Sequence, residues 1–320
     1  GSYDQHVYSI APLDGAIRWK FRAGRGVVSR PAIKNGFVLF GSEDHWVYAV
    51  GVDSGIAAWS LRTGMPVRSS ATICGDLAVI GSDDSVIYAV SIATGNVVWK
   101  QRAWGPVRSS PVAHDGAVYI GSDDSYLYAL RAKDGRVLWR ASCGGPVLST
   151  PCVVGESVVV ASRAGTVSAY SRKNGERIWQ HDTHAALVAS PRVAADTVLI
   201  GSTDGAVIGL NPADGMLRWS ERFANQITST PLPVEHVAYV GTVDGDVACF
   251  SARTGELLWK YAVGGSIVSS PVYGGGVLLV GSTDGRICGL ALAQSEIDRF
   301  ERLRAEETVH GNQGNDPHFE

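Results

Sequence analysis

The chain has 320 residues, 45% hydrophobic and 18% charged, with a formal net charge of −3. That balance excludes a disordered or fibrous chain, and no apolar run reaches the roughly 18 residues of a bilayer-spanning helix, so nothing argues for membrane insertion. Residues 291–320 hold seven acids and three arginines, which leaves 25 basic and 24 acidic residues before them, and so near-neutral a body gives no electrostatic case for nucleic acid.

The opening GSYDQHVYSI does not read as a signal peptide. From there the chain repeats itself every forty residues. Gly1, Gly41, Gly81, Gly121, Gly201, Gly241 and Gly281 fall in one column, broken only by Ala161. Trp19, Trp59, Trp99, Trp139, Trp179, Trp219 and Trp259 fall in another without a gap. A fixed period of this length is the mark of a solenoid or propeller.

Ser2–Arg22 opens the chain as a partial repeat, and full repeats follow from Gly24. Within Gly105–Arg140 the alternation and β-branched content predict four strands: A (Val107–Ser110), B (Val112–Ile120), C (Tyr126–Leu130) and D (Arg136–Trp139). A Gly closes every C-to-D turn, as in Asp134-Gly135 and Asn174-Gly175, where a tight hairpin needs a positive φ. Gly264–Leu290 ends the series as a second partial repeat, with Gly274-Gly275-Gly276 read as a hairpin turn. In the tail, Ile297, Phe300 and Leu303 space a short amphipathic helix over Gln294–Glu307, and the remainder reads as flexible. The expected organisation is thus a β-propeller over 1–290 and a polar tail over 291–320.

A single four-stranded sheet cannot bury both faces, so copies must stack, and twisted sheets stacked about an axis make a β-propeller. The Trp column is expected to dock each blade on its neighbour, burying about 150–250 Å² per ring. Seven A, seven B, eight C and seven D strands favour seven blades, with the two partial repeats sharing one and closing the ring. The alternative, eight blades, would leave one blade without A and B and another without D, with bare edges.

YAVSIATGNVVW (Tyr88–Trp99), YALRAKDGRVLW (Tyr128–Trp139) and CFSARTGELLW (Cys249–Trp259) resemble the docking motif of pyrroloquinoline-quinone-like propeller repeats. The likeness covers residues 1 to about 290. A WD40 reading is weaker, because no Trp-Asp dipeptide occurs.

The resemblance implies three classes of function. Quinoprotein alcohol dehydrogenases hold the quinone and calcium with vicinal cysteines, a stacking Trp and a catalytic Asp. This chain has no vicinal cysteines and no long loops, so neither pyrroloquinoline quinone nor calcium is expected and no catalytic residue is assigned. The others are the propeller scaffold of bacterial outer-membrane assembly and the sensor propellers of bacterial receptors and Ser/Thr kinases. A non-catalytic binding module is the expected function, monomeric, with a protein or a small anionic ligand as partner. The resemblance implies a periplasmic or extracytoplasmic site, while five scattered cysteines, read as free thiols, leave the cytoplasm open.

Residues that break the repeat are the candidate site. Trp46 and Trp104 are off-register, and Arg25, Arg30, Arg68 and Arg108 fall on or before the A strands of three successive blades. Together they suit an anionic or planar ligand in a basic, aromatic-edged funnel. The competing reading is ion pairing inside each blade, Arg68 with Asp83 and Arg108 with Asp123. The Asp column (Asp4, Asp44, Asp84, Asp124, Asp204, Asp244, Asp284) is expected to cap turn N–H groups. His181, His184 and Cys143 have no metal-site spacing, and no metal is expected.

Overall fold

The structure is a computed structural model that describes residues 1–12 and 14–291. The helix expected over Gln294–Glu307 lies outside the described residues. By its internal contacts the chain falls into two compact units, Gly1–Pro191 with Pro212–Met216, and Arg192–Asn211 with the chain from Leu217.

The fold is all-β, a β-propeller of antiparallel blades, and no helix occurs among the described residues. The first unit begins with a hairpin, β1 (His6–Ile10) and β2 (Ile17–Arg22). Its first full blade is β3 (Ala32–Lys34), β4 (Phe37–Gly41), β5 (Trp46–Gly51) and β6 (Ala57–Arg62). The next is β7 (Thr72–Cys74), β8 (Leu77–Gly81), β9 (Val86–Ser91) and β10 (Val97–Arg102). Then come β11 (Val112–His114), β12 (Ala117–Gly121), β13 (Tyr126–Arg131) and β14 (Val137–Ser142), and β15 (Cys152–Val154), β16 (Ser157–Ala161), β17 (Thr166–Ser171) and β18 (Arg177–Asp182).

The second unit holds β19 (Arg192–Ala194), β20 (Thr197–Gly201), β21 (Ala206–Leu210) and β22 (Leu217–Arg222). A further full blade is β23 (Leu232–Val234), β24 (Val237–Gly241), β25 (Asp246–Ser251) and β26 (Leu257–Ala262). The chain's last described blade is β27 (Val272–Gly274), β28 (Val277–Gly281) and β29 (Ile287–Ala291). Among the described residues, seven blades therefore open with an A–B hairpin, six of them with four strands and the seventh with three.

Three expectations are corrected. Val107–Ser110 is not a strand but an irregular crossing held by Val107 N–H, which donates to Ser82 O at 3.0 Å. Val112–Ile120 is two strands, not one, because Asp115 and Gly116 turn the chain with φ of 45° and 74°. The described residues hold twenty-nine strands, the number counted from the sequence, with the inner two of each blade redrawn. Finally, among the described residues the two partial repeats do not share a sheet: β1 pairs with β2 and β28 with β29. β29 already fills the edge of β28 that a first-repeat strand would need.

The core lies between neighbouring blades. Val79, Ile87, Ala89 and Trp99 of one blade pack on Val118, Ile120, Tyr128 and Leu130 of the next, all nearly or fully buried. In the second unit Leu199 and Val207 pack on Val240, Ala248 and Phe250. The A strands of successive blades lie side by side, β3 with β7, β7 with β11 and β11 with β15. Ser Oγ atoms forty residues on tie them: Arg30 N–H donates to Ser70 Oγ at 2.8 Å, and Ser70 N–H to Ser110 Oγ at 2.9 Å.

Candidate functional site

The docking Trp residues are built by the turn that precedes each one and by the turn of the next blade. Trp99 Nε1 donates to Ala132 O, 33 residues on, at 2.9 Å, and Trp19, Trp59, Trp139 and Trp179 make the same bond at 2.8 to 2.9 Å. In the second unit Trp219 reaches Ala252 O at 3.2 Å. The rings of Trp19, Trp59, Trp99, Trp139, Trp179 and Trp219 lie against the Gly of the next C-to-D turn, so that Gly serves twice. At Gly135, φ is +72° and a Cβ would stand 2.4 Å from Trp99 Cε3. Gly15 has the same φ class but nothing within 4 Å. Trp259 Nε1 is buried with no partner among the described residues.

The D-to-A and B-to-C loops share one face because the Asp column ties them together. Asp84 accepts from Gly64 N–H at 2.8 Å and Val86 N–H at 3.0 Å, and Asp124 from Trp104 N–H at 2.9 Å and Tyr126 N–H at 3.0 Å. Sequence reasoning missed the third partner, a Tyr four residues on. Tyr48, Tyr88 and Tyr128 donate to Asp44, Asp84 and Asp124 at 2.8, 2.6 and 2.6 Å. Burial first, then the carboxylate they donate to, pushes these phenols well above the usual tyrosine range.

On that face Arg68 and Arg108 form a ladder with three carboxylates. Arg68 Nε meets Glu43 at 3.0 Å while its Nη1 bonds Asp83. Arg108 Nε meets the other oxygen of Asp83 at 3.2 Å and its Nη1 meets Asp123 at 2.9 Å. Both expected pairs form, and each arginine also bridges back to the preceding blade. Glu43 went unread, although it stands in the column of Asp83 and Asp123, forty residues before the first. The ladder stops at Leu148, which holds the next arginine position, and Asp123 Oδ1 is left buried without a partner. Burial raises the Asp123 carboxyl above its ordinary range despite Arg108.

The other candidates sit apart from the ladder. Trp104 is 70% exposed, with the Arg140 guanidinium 3.9 Å over its ring and Tyr126 edge-on at 6.1 Å. Trp46 is half-buried at the start of β5, its ring 6.4 Å from Tyr48. Arg25 and Arg30 are exposed, and among the described residues neither side chain meets a carboxylate. The structure thus joins Arg68 to Arg108 through Asp83, and gives Trp104 a different arginine from those the sequence suggested.

All five cysteines are free thiols, and burial pushes Cys143 up to about 11. Among the described residues no cluster of three His, Cys, Asp or Glu side chains is arranged to hold a metal ion.

The model of a family described as outer membrane protein assembly factor BamB, of the PQQ-like repeat type, matches residues 1–102, 83–233 and 223–298. A comparison with curated proteins found no match. Among solved structures, BamB from Moraxella catarrhalis is 22% identical with a TM-score of 0.80, covering 91% of this chain and 92% of its own. The computationally designed protein Ika8 is 18% identical with a TM-score of 0.82, at 91% and 92% coverage. The quinohemoprotein alcohol dehydrogenase ADHIIG from Pseudomonas putida HK5 is 14% identical with a TM-score of 0.74, over 88% of this chain and 67% of its own. At these identities the structural likenesses carry the fold alone, but the family model spans nearly the whole described chain. With its forty-residue period and its Trp-on-Gly docking, the chain belongs to the PQQ-like repeat family of β-propellers, the family of the BamB assembly factor.

Proposed function

We propose that the chain is a non-catalytic binding module that works as a protein-interaction scaffold outside the cytoplasm, as the outer membrane assembly factor of its family model suggests. The Trp104 cluster carries this reading. An indole exposed to 70%, backed by a guanidinium at 3.9 Å and a Tyr edge, presents the side-chain types that anchor protein interfaces. Arg68 and Arg108, the best-placed cations for an anionic ligand, are engaged by Glu43, Asp83 and Asp123. A near-neutral body accords with a protein partner rather than nucleic acid, and the module is proposed to act as a single copy.

A second reading, a ligand sensor, is favoured by Arg25 and Arg30, whose side chains meet no carboxylate among the described residues. Thermal unfolding separates the readings. A ligand at about 100 times its dissociation constant adds about 2.7 kcal/mol, a rise of a few degrees in Tm. The scaffold predicts no shift with pyrroloquinoline quinone plus calcium, nor with a panel of anionic metabolites. A metabolite shift lost in Arg25→Ala or Arg30→Ala makes the chain a sensor, and a quinone shift overturns the non-catalytic reading.

A further inference from the structure

We propose that the arginines ending the outer strands of the first unit, with Arg140 and Trp104 beside them, receive an acidic segment of a protein partner. The inference rests on the scaffold reading and names the chemistry of that partner. Arg22, Arg62 and Arg102 end β2, β6 and β10, and Arg222 ends β22 of the second unit in the same forty-residue column. Arg222 is answered inside its blade, donating to Asp204, 18 residues back, at 2.8 Å. The carboxylates 18 residues before the other three, Asp4, Asp44 and Asp84, are taken by tyrosines instead. Tyr8, Tyr48 and Tyr88 donate to them, the last two at 2.8 and 2.6 Å, where the blade of Arg222 has Ile208.

The remaining capacity of those carboxylates goes to the backbone. The oxygens that Tyr48 and Tyr88 meet also accept from Gly24 and Gly64 N–H at 2.6 and 2.8 Å. Their partner oxygens accept from Trp46 and Val86 N–H at 3.1 and 3.0 Å. Arg22, Arg62 and Arg102 are exposed, and among the described residues none of them meets a carboxylate.

A second column repeats the exchange. Lys260 on β26 meets Asp246 at 2.6 Å, but on β13 Tyr126 stands in the place of Asp246. Arg140, in the column of Lys260, lies 5.2 Å over Tyr126 and 3.9 Å over Trp104. A ring holds the face of a guanidinium and leaves the N–H donors at its edge, which fit a carboxylate two at a time. The first unit thus sets four cations without an internal anion along successive sheets, with Arg102 two residues from an indole that is 70% exposed. β6, β10 and β14 belong to blades already complete at four strands, so no continuation of the chain is owed to them. Charge complementarity selects a run of Asp and Glu carrying one aromatic side chain for Trp104. The near-neutral body lacks the wide basic field that nucleic acid requires.

The test is fluorescence anisotropy of a labelled octapeptide of Asp and Glu with a central Phe, titrated with the full chain at low salt. Saturable binding is expected, lost at high salt and at least about tenfold weaker when Arg62→Gln and Arg102→Gln are combined. Trp104→Ala, and Tyr88→Phe, which releases Asp84 to Arg102, should each weaken it about threefold. Arg222→Gln should bind as the parent does. These arginines and Trp104 are exposed, and an unchanged Tm shows that each variant folds. No binding up to about 1 mM overturns the proposal, as does binding indifferent to the first-unit variants or equally weakened by Arg222→Gln. Anionic phosphatidylglycerol vesicles or a single-stranded oligonucleotide that bind where the peptide does not assign the row to a membrane or to nucleic acid. Peptide binding that appears only when Glu306→Gln and Glu307→Gln are combined assigns it to the chain's own acidic end, and any of these results overturns the acidic partner. The scaffold reading stands or falls on the quinone and metabolite unfolding measurements, so a silent peptide sinks this inference alone.

Discussion

The blades β7–β10 and β11–β14 of the first unit and the blades β19–β22 and β23–β26 of the second share one backbone plan but differ in polar decoration. In the first, Asp84 and Asp124 bind a Tyr, and Arg68 and Arg108 run a ladder from Glu43 to Asp123. In the second, Ile208 and Ala248 replace the tyrosines, Val188 and Thr228 stand at the arginine positions, and Asp204 instead bonds Ser202 and Arg222. Both regions nevertheless pair four strands in the same register, with the same shift beside the docking Trp. The blade is therefore made by the apolar strands and the Trp-on-Gly contact, and the ion ladder is an addition to it.

The largest test of that comparison is the Trp column. Trp99→Ala empties a site where the indole is 7% exposed and is expected to cost about 3–5 kcal/mol, read as a lower midpoint in chemical unfolding. Trp99→Phe, which gives up the bond to Ala132 O, should cost about 1–3 kcal/mol more than Trp259→Phe, because Trp259 Nε1 has no such bond among the described residues. Equal costs would show that the carbonyl bond is incidental.

Next in size is the turn glycine. Gly135→Ala places a methyl against the Trp99 ring at a positive φ, whereas Gly15→Ala meets only the φ penalty of about 1–2 kcal/mol. Gly135→Ala is expected to be the worse by at least about 1 kcal/mol, measured by thermal unfolding.

The ladder should matter less. Asp83→Ala takes one partner from each arginine, but Arg68 keeps Glu43, Arg108 keeps Asp123, and the two side chains are 38% and 35% exposed, so a loss of about 1–2 kcal/mol is expected, smaller at high salt. Leu148→Arg extends the ladder to Asp123 Oδ1 and should add about 0.5–1.5 kcal/mol. A loss on Leu148→Arg would mean the slot beside Asp123 does not accept a guanidinium.

The smallest effect is a difference of sign with pH. Burial raises the Asp123 carboxyl, so its folded form holds a proton more tightly than its unfolded form, and its contribution, full below the ordinary Asp range, is lost as pH rises through the raised value. The hydrogen bond from Ser202 lowers Asp204, so its contribution is present above the ordinary range and lost as pH falls through the lowered value. Relative to Asp123→Asn, the parent should lose stability as pH rises above about 4; relative to Asp204→Asn, it should lose stability as pH falls below about 4. Unfolding midpoints across pH 2.5 to 7 would reveal slopes of one sign if this assignment is mistaken.

Much of this was legible in the sequence because it repeats. The Trp, Gly and Asp columns announce themselves by recurring at fixed offsets, and the closing Gly of each turn could be assigned a positive φ from its neighbours alone. The Arg68–Asp83 and Arg108–Asp123 pairs were within reach because fifteen residues of one blade separate the partners. Reading Val107–Ser110 as a strand failed because alternation cannot tell a strand from an extended crossing whose bonds go to Ser82 and Ser149. The Trp104 stack on Arg140 was invisible for a similar reason, since nothing local to Trp104 points to a side chain 36 residues on.

By itself the sequence determined the forty-residue period, the C and D strands with the turn between them, the docking Trp residues and the family. Those follow from short-range spacing, because a turn, an alternation and an in-register Trp are each fixed within a few residues of chain. Only the tertiary structure decided that Glu43 is the first rung, that Asp123 Oδ1 goes unpartnered, and that among the described residues β1 and β29 belong to separate sheets. Those outcomes depend on how sheet twist brings one blade's loops against the next, and on which strand takes an edge first, neither of which a local pattern encodes.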